Sequence, residues 1–380
     1  MAYIPRIIEP TVRKYLSIFP VVGLTGPRQS GKSTMLQKLL GRQYEYVSFD
    51  DSSNVDLFKT DPARFMRLHN DKVIFDEVQK VPEIFSHIKL AVDARREEYG
   101  RFVVTGSSQF HMMMKISESL AGRIGLLSLL PFQYSELPPG LREDSMFRGS
   151  YPEIVLRKYR HSEEWYAAYV DTYLTRDVRE LAAIGDLYDF RRCLQLLAGR
   201  VSGILNMSDL ARDVGVSVPT IKKWISVMDA SYIIFLLQPF YKNLGKRIVK
   251  SPKLYFFDTG LVSYLTGISD KNHFEKGPLF GPIFENYIIS ETFKKQLHLR
   301  TMKEIFYYRT SHGVEIDLII DQKDSREWIE TKTSETFRPA MVKAIQELKK
   351  PDEVGRLVYR GKAIPFTDNI QIVNFSRFLE

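Results

Sequence analysis

A glycine-rich turn between an apolar strand and a helical segment restricts the fold of this chain more than any other feature. The strand pattern Val21–Thr25 runs directly into Gly26-Pro-Arg-Gln-Ser-Gly-Lys-Ser33, and helical spacing follows as far as Leu40. Gly26 and Gly31 allow the backbone to curl so that its N–H groups point inward, and the following helix adds its positive end. The segment is therefore predicted to bind phosphate groups.

Two side chains at the end of this loop suit a nucleoside triphosphate with Mg²⁺. The Lys32 ammonium is predicted to contact the β- and γ-phosphates, and the Ser33 hydroxyl is predicted to bind Mg²⁺, which takes few protein ligands and several waters. The residues predicted to bind ATP are Gly26, Pro27, Arg28, Gln29, Ser30, Gly31, Lys32, Ser33 and Thr34. A chance glycine-rich turn is the alternative, and it requires strand, loop, helix and a downstream acidic strand to coincide.

That acidic strand is Val73-Ile-Phe-Asp-Glu77, a buried pattern ending in two carboxylates. Asp76 is predicted to hold Mg²⁺ through water. Glu77 lies one residue further and is predicted to polarise the water that attacks the γ-phosphate. The sequence thus predicts ATP hydrolysis, while a structural or regulatory role of ATP with slow turnover stays open.

The first 140 residues alternate short apolar strands with helical patterns, which predicts an α/β domain with a parallel sheet covered by helices. The strand candidates are Val21–Thr25, Tyr44–Phe49, Lys72–Phe75, Arg101–Thr105 and Ile124–Leu130.

The five-strand pattern, the acidic pair and the polar Thr105 in Thr-Gly-Ser-Ser108 together resemble an AAA-type P-loop ATPase. The resemblance implies that Thr105 orients water or the γ-phosphate. It also implies that Arg123, in Leu-Ala-Gly-Arg-Ile, reaches the ATP of a neighbouring subunit, which would require a homo-oligomer. The alternative for Arg123 is a surface or intradomain salt bridge.

A helix-turn-helix pattern occupies Ser208 to Ile225, with Gly215 in the turn. Ser208 and Ser217 are placed to cap the two helices. The stretch resembles a winged helix, with following strands between Ser231 and Tyr241.

If this module reads DNA, Thr220, Lys222 and Lys223 on its second helix would face phosphates or base edges. The alternative is a packing module whose lysines are solvated helix charges.

Two strand patterns in the last hundred residues carry carboxylates. Alternation in Gly313–Ile320 predicts a strand with Glu315 and Asp317 on one face, and Trp328-Ile-Glu-Thr-Lys332 sets Glu330 and Lys332 side by side. Carboxylates beside a lysine form a constellation for a metal ion and a water, and Mg²⁺ would fit it. Alternating carboxylates on an edge strand are the alternative.

The order of these elements resembles the restriction-endonuclease-like PD-(D/E)XK fold. The resemblance implies that Asp317 and Glu330 bind the metal and that Lys332 activates water, all three being catalytic. It further implies that Glu285, in the preceding helical segment, is a metal ligand. Inactive descendants of this fold keep its shape, so cleavage itself stays open.

The net charge and the cysteine content restrict which partners and which cellular compartment are expected. The chain has 54 Lys and Arg against 46 Asp and Glu, a formal net charge of +8. Such an excess favours a polyanion, and we expect nucleic acid, with DNA favoured. Cys193 is the single cysteine, so an intrachain disulfide is excluded and a reducing cytoplasm fits best. The apolar runs are too short to span a bilayer, so no membrane is expected.

The chain resembles, over nearly its full length, a family of bacterial and archaeal ATP-binding proteins that join an AAA domain to a nuclease-like C-terminal half. Phrases typical of it are Asp76-Glu-Val-Gln79, Ser119-Leu-Ala-Gly-Arg123, Arg176-Asp177, Asp258-Thr-Gly-Leu261 and Glu315-Ile-Asp-Leu318. We expect an ATPase domain at 1–140, a helical connector at 141–190, a winged-helix-like module at 191–270 and a nuclease-like domain at 271–380.

Two functions follow from this organisation. The first is an ATPase that couples nucleotide state to a C-terminal half that binds or processes nucleic acid. The second is a nucleotide-controlled regulatory switch whose C-terminal half is a protein-docking scaffold.

Overall fold

The computed structural model describes residues 3–106, 119–174, 187–240, 251–301, 303–322, 325–367 and 369–380, without the side chains of 173 and 174. A five-stranded sheet lies in the N-terminal part and a six-stranded sheet in the C-terminal part. Ser107, Ser108, Arg176 and Asp177, named above in family-like phrases, lie outside the described residues.

The N-terminal sheet is parallel throughout, with strand order β2-β3-β4-β1-β5. All five predicted strands are present; β1 has the predicted bounds, and the ends of the other four differ from the prediction by at most two residues. The strands are β1 (Val21–Thr25), β2 (Glu45–Ser48), β3 (Val73–Asp76), β4 (Phe102–Thr105) and β5 (Ile124–Ser128).

Helices cover both faces of this sheet. Val21 packs into the core on one face, while Val22 and Leu24 pack into the core on the other. This two-sided burial explains why β1, β3 and β4 are buried and apolar along most of their length. The helices are α1 (Glu9–Leu16), α2 (Lys32–Leu40), α3 (Ser52–Thr60), α4 (Pro62–Leu68) and α5 (Ile84–Asp93).

The predicted connector is helical. The rings of Trp165 and Tyr169 stack 5.1 Å apart within it, at an interplanar angle of 14°. Its elements are α6 (Arg142–Arg148), α7 (Pro152–Leu156), α8 (Ser162–Ala168) and the π-helix Tyr169–Leu174, and α9 (Leu187–Ala198) follows.

The helix pair is present as α10 (Met207–Val214) and α11 (Val218–Ala230), joined at Gly215 with φ 89°. The predicted cap at Ser217 is confirmed, since its side chain accepts from the Thr220 N–H. The predicted cap at Ser208 is wrong. Asn206 has the extended backbone of a cap and accepts from the Ser208 N–H, so Ser208 already lies inside the helix.

A two-stranded antiparallel ribbon follows the helix pair. Its strands are β6 (Ile234–Leu237) and β7 (Lys253–Phe256). Of the strand pattern predicted from Ser231 to Tyr241, the described residues 231–240 form only β6, and Tyr241 lies outside the described residues.

The C-terminal sheet is mixed, with order β12-β13-β11-β10-β9-β8. Its strands β8 to β10 are antiparallel, whereas β11 runs parallel to both β10 and β13. The elements are α12 (Thr259–Leu265), α13 (Lys271–Lys276), α14 (Phe280–Leu299), β8 (Glu304–Arg309), β9 (Glu315–Asp321), β10 (Arg326–Lys332), α15 (Lys343–Leu348), β11 (Val354–Tyr359), β12 (Ile364–Thr367), β13 (Ile370–Asn374) and α16 (Phe375–Leu379).

One hydrophobic core extends from Leu130 to Leu379 and includes the connector, the helix pair and one side of the C-terminal sheet. These three stretches therefore pack together, although the sequence divides them at residues 190 and 270. Among the described helices, none has the length and apolar character needed to cross a membrane.

Candidate functional site

The loop between β1 and α2 has the backbone shape that its glycines predict. Gly26 has φ 144° and Gly31 has φ 91°, both in the region that favours glycine. A Cβ atom on Gly26 would lie 2.0 Å from the main-chain oxygen of Leu129, so no side chain fits there. Gly31 directly precedes α2 and thereby turns the first N–H groups of that helix toward the loop.

Lys32 lies over this loop. Its Nζ donates to the main-chain oxygens of Gly26 and Pro27, each at 2.9 Å, and the residue is buried. The loop borders a cleft of about 550 Å³, a volume in the usual range for a ligand site. Six of the predicted ATP-binding residues line the cleft: Arg28, Gln29, Gly31, Lys32, Ser33 and Thr34.

Asp76, at the end of β3, is surrounded by hydroxyl groups. Ser33 Oγ donates to Asp76 Oδ2 at 2.8 Å, and Thr105 Oγ1 donates to Asp76 Oδ1. The structure therefore brings the predicted Ser33, Asp76 and Thr105 together beside Lys32. Hydroxyl and carboxylate oxygens are ligands that Mg²⁺ accepts, so these residues fit the predicted ion.

Tyr46 also belongs to this site, although no sequence motif indicates it. Its hydroxyl donates to Asp76 Oδ2 at 2.5 Å. Tyr46 lies on β2, whose pairing with β3 places it opposite Ile74, two residues before Asp76. Burial, followed by the bond to Asp76, raises the pKa of Tyr46 to about 12.

Glu77 lines the same cleft and has a left-handed backbone, with φ 57°. Burial raises the pKa of its carboxyl group, while Lys32 and a hydrogen bond from Gln79 oppose that rise. A carboxylate with a raised pKa accepts a proton more readily, which suits the predicted role as a general base.

Arg6 is a further residue that the sequence did not indicate. Its guanidinium donates to the main-chain oxygens of Ser30 at 2.9 Å and Leu130 at 2.7 Å. It also pairs with Glu136 at 3.1 Å. One buried side chain thus joins the N-terminal segment, the phosphate loop and the segment that follows β5.

Arg123 pairs with Asp93 of the same domain, Nε to Oδ1 at 2.8 Å. It stands just before β5, whereas the phosphate loop leaves the far end of the parallel strand β1. Within one chain the two therefore lie at opposite ends of two neighbouring parallel strands. The intradomain salt bridge is therefore present, and a role at a neighbouring subunit's ATP stays a prediction.

Four acidic residues of the C-terminal half form what we call the carboxylate cluster. Three are the predicted metal ligands Glu285 on α14, Asp317 on β9 and Glu330 on β10, and the fourth is Glu315 on β9. Burial, followed by the charge of Asp317, raises the pKa of Glu285 to about 7 and that of Glu330 to about 8. Such mutual effects place the predicted Glu285, Asp317 and Glu330 near one another.

Protein donors already pair with this cluster. Lys332 Nζ lies 2.5 Å from Glu330 Oε1, and Asp317 Oδ2 accepts from the N–H and hydroxyl of Thr331, each at 2.8 Å. Lys253 of β7, which the sequence did not indicate, pairs with Glu285 at 2.8 Å and with Glu315.

The predicted metal site at Glu285, Asp317 and Glu330 is not preassembled. Across the described residues, no three His, Cys, Asp or Glu side chains are grouped so that they could hold a metal ion. The carboxylates are instead paired with protein donors, namely Lys253, Lys332 and Thr331. The donor chemistry still fits a cation, because Glu330 Oε2 is buried and has no hydrogen-bond partner among the described residues.

On α11, the predicted DNA-facing Lys222 and Lys223 are exposed, and Thr220 is half-buried. The Thr220 hydroxyl lies 2.8 Å from that of Ser217. Both lysines are thus accessible to a phosphate backbone.

Comparison with known families divides the chain into three. Residues 19–138 match the model of an AAA domain. Residues 140–272 and 280–378 each match a domain of unknown function, DUF8612 and DUF4143 respectively.

Two uncharacterized proteins, from Mycobacterium bovis and Mycobacterium tuberculosis, are each 29% identical over 373 residues, covering 97% of this chain and 83% of theirs. A Walker-type ATPase of Pyrococcus abyssi is similar in structure, with 15% identity, 68% of this chain and 94% of that one covered, and a TM-score of 0.48. AMPPCP-bound DnaA from Aquifex aeolicus gives 12% identity, coverage of 59% and 86%, and a TM-score of 0.32. The AAA-domain match, together with the strand order and the loop described above, supports an ATP-binding AAA-type ATPase.

Proposed function

We propose that this chain hydrolyses ATP with Mg²⁺ and that its nucleotide state controls a nuclease-like, DNA-binding C-terminal half. The observation that carries the ATPase part is the hydrogen bond of Ser33 to Asp76 beside the Lys32 ammonium. It joins the phosphate loop to the acidic strand at the place where a metal-bound triphosphate would lie.

Each residue of the cleft has a separate proposed role in ATP hydrolysis. Lys32 would exchange its bonds to the main-chain oxygens of Gly26 and Pro27 for phosphate oxygens. Mg²⁺, when bound, neutralises phosphate charge, and Ser33 and Asp76 would hold it. Thr105 and Tyr46 keep Asp76 oriented. Glu77 would accept the proton of the attacking water.

Helix α14 supports coupling between the two halves. Near its C-terminal end, His298 Nε2 accepts from the Leu130 N–H at 3.1 Å, and Leu130 is also held by Arg6. Glu285, in the carboxylate cluster, lies thirteen residues earlier on the same helix, roughly 20 Å along its axis. A shift of the phosphate loop would therefore reach the cluster through Arg6, Leu130 and one continuous helix.

The C-terminal chemistry would be metal-dependent cleavage. Asp317, Glu330 and Glu285 would hold Mg²⁺, with Lys332 beside the water. Nucleic acid, with DNA favoured, is the proposed substrate because the chain carries a net charge of +8 and exposes Lys222 and Lys223. A homo-oligomer is proposed on the position of Arg123 alone.

The ATPase part is tested by hydrolysis measured with double-stranded DNA, single-stranded DNA, RNA or no nucleic acid. Lys32→Ala should lose ATP binding, because the phosphates lose their nearest cation. Asp317→Asn should keep basal hydrolysis. An unchanged rate of ATP hydrolysis in Lys32→Ala would exclude the phosphate loop from the proposed ATPase site. Stimulation of hydrolysis by one of the nucleic acids would identify the class of partner.

The nuclease part is tested by metal-dependent cleavage of the same nucleic acids. Asp317→Ala and Lys332→Ala should each lose cleavage, while Lys343→Ala, an exposed lysine of α15, should keep it. Cleavage retained by both site variants would exclude these residues from catalysis.

The second candidate is a nucleotide-controlled switch whose C-terminal half docks a protein. Pairing of Lys253 and Lys332 with the carboxylates favours it, because a satisfied cluster can serve as a structural element. Absence of DNA binding across a salt titration, together with ATP-dependent binding of a purified partner protein, would select this candidate.

A further inference from the structure

Lys253 joins the ribbon β6–β7 to the carboxylate cluster. It is only 2% exposed, and it pairs with Leu237 in the register of the ribbon. Its Nζ lies 2.8 Å from Glu285 Oε1 and also contacts Glu315. The Tyr255 hydroxyl donates to the same Glu285 oxygen at 2.7 Å.

Carboxylates outnumber cations in this cluster. Its four carboxylates face Lys253, Lys332 and Arg309, the last of which pairs with Glu315 at 3.1 Å. Glu330 is 8% exposed, and its Oε2 has no hydrogen-bond partner within the described part of the chain. A buried oxygen in this state favours an additional proton or cation.

We propose that Lys253 competes with a divalent cation for Glu285, so that the ammonium must release Glu285 before Asp317, Glu330 and Glu285 can bind one ion together. This inference rests on the proposed metal site and names the residue that regulates it. Lys253 is a positioning residue, since it acts through the carboxylates.

Competition between Lys253 and the cation would connect the carboxylate cluster to the helix pair α10–α11. Lys253 belongs to β7, and its partner strand β6 begins four residues after α11 ends. Movement of the helix pair would therefore alter the hold of Lys253 on Glu285. The metal affinity of the C-terminal site depends on that position.

The test is calorimetric titration of the whole chain with Mn²⁺, without nucleotide and at one fixed pH. Every protein carries Asp76→Asn, which removes the other candidate ion site. Lys253→Met should bind Mn²⁺ at least about tenfold more tightly, because a positive charge next to a divalent ion is removed. The matched control is Lys294→Met, another buried lysine, which pairs with Glu291 of α14 at 2.7 Å and should leave the affinity unchanged.

A second variant covers the case in which Lys253→Met fails to fold. Lys253→Met with Glu315→Gln removes both partners of an ion pair, a change that buried sites tolerate better than loss of one partner. It should bind Mn²⁺ more tightly than Glu315→Gln alone.

The outcomes separate the inference from the proposed site. Mn²⁺ binding that Asp317→Asn does not weaken would overturn the metal site itself. Binding that depends on Asp317 but is not tightened in either Lys253 variant would overturn only the competition.

Discussion

Arg6 Nη1 donates a hydrogen bond to the main-chain oxygen of Ser30 at 2.9 Å, so an N-terminal side chain fixes the phosphate-binding loop from behind. The same guanidinium pairs with Glu136, and the side chains are 2% and 3% exposed. The shape of the loop thus depends on a buried ion pair outside the motif itself.

Loss of this arginine should destabilise the protein. Arg6→Met leaves Glu136 buried without its cation, which typically costs about 3–5 kcal/mol. Urea unfolding should show this loss, and Arg6→Met with Glu136→Gln should recover part of it. Arg13→Met is the matched control, since that exposed arginine also donates to a main-chain oxygen, that of Leu39 at 3.2 Å. If Arg6→Met and Arg13→Met lower the free energy of unfolding by the same amount, the buried Arg6–Glu136 pair contributes no more to stability than an exposed arginine does.

Glu77→Gln should separate ATP binding from ATP turnover. The amide keeps the size of the side chain but cannot accept a proton, so turnover should fall about 100-fold or more while ATP affinity changes little. Binding is measured by calorimetry and turnover by phosphate release. A variant that hydrolyses ATP at the wild-type rate would exclude Glu77 as the base.

The pH profile offers an independent check on Glu77. Burial raises its pKa, and only the ionised carboxylate accepts a proton. Hydrolysis should therefore decline on acidification at a higher pH than an ordinary glutamate would give. Glu77→Asp provides the comparison, and a profile that stays flat down to the pKa of a free carboxyl group contradicts the assignment.

His298 should make the protein sensitive to acid. Burial lowers the pKa of its ring from 6.5 to about 3, so the neutral ring accepts the hydrogen bond from Leu130. The unfolded chain binds a proton near pH 6.5 and the folded chain does not, so stability is full above that pH. It should fall by up to about 1.4 kcal/mol per pH unit down to about pH 3.

Comparison with His298→Gln isolates this contribution from the other titrating groups. The difference between the two urea-unfolding free energies should shrink as pH falls through that window. A difference that stays constant from neutral to acidic pH would mean that the histidine is protonated in the folded protein.

Lys222 and Lys223 should contribute to DNA binding through charge alone. Replacing both with glutamate should lower affinity for all sequences and reduce the slope of log affinity against log salt by about 2. The control with equal charge change is Lys276→Glu with Lys343→Glu, two exposed lysines of α13 and α15. If the salt dependence of DNA affinity is unchanged in the α11 variant, the DNA-binding surface does not include Lys222 and Lys223.

The phosphate loop could be predicted from sequence because its chemistry is local. Gly26, Gly31 and Lys32 act within one turn of chain, and apolar runs mark the strands that place Asp76 beside them. The carboxylates of β9 and β10 were found in the same way, from a period of two along each strand. The cap predicted at Ser208 is wrong because Asn206, two residues earlier, also has a side-chain oxygen that accepts from backbone N–H groups. Residue type alone does not decide which of the two caps the helix.

Residues that are distant in sequence from the site they contact show no motif that would predict the contact. Arg6 and Glu136 are 130 positions apart, and Lys253 precedes Glu285 by 32. Each is an ordinary charged residue in its local sequence. Only the packing of the connector, the ribbon and α14 into one core brings them to the two sites.

Tyr232, just after α11, donates or accepts at two hydroxyls of the N-terminal sheet: Thr25 at 2.7 Å and Ser128 at 2.9 Å. Thr25 is the last residue of β1, immediately before the phosphate loop. The residue that follows the helix pair thus contacts the strand that leads directly into the predicted nucleotide-binding loop. Any rotation of the helix pair away from the sheet would first have to break these hydroxyl contacts, so they tie the position of the helix pair to the residue that leads into the phosphate loop.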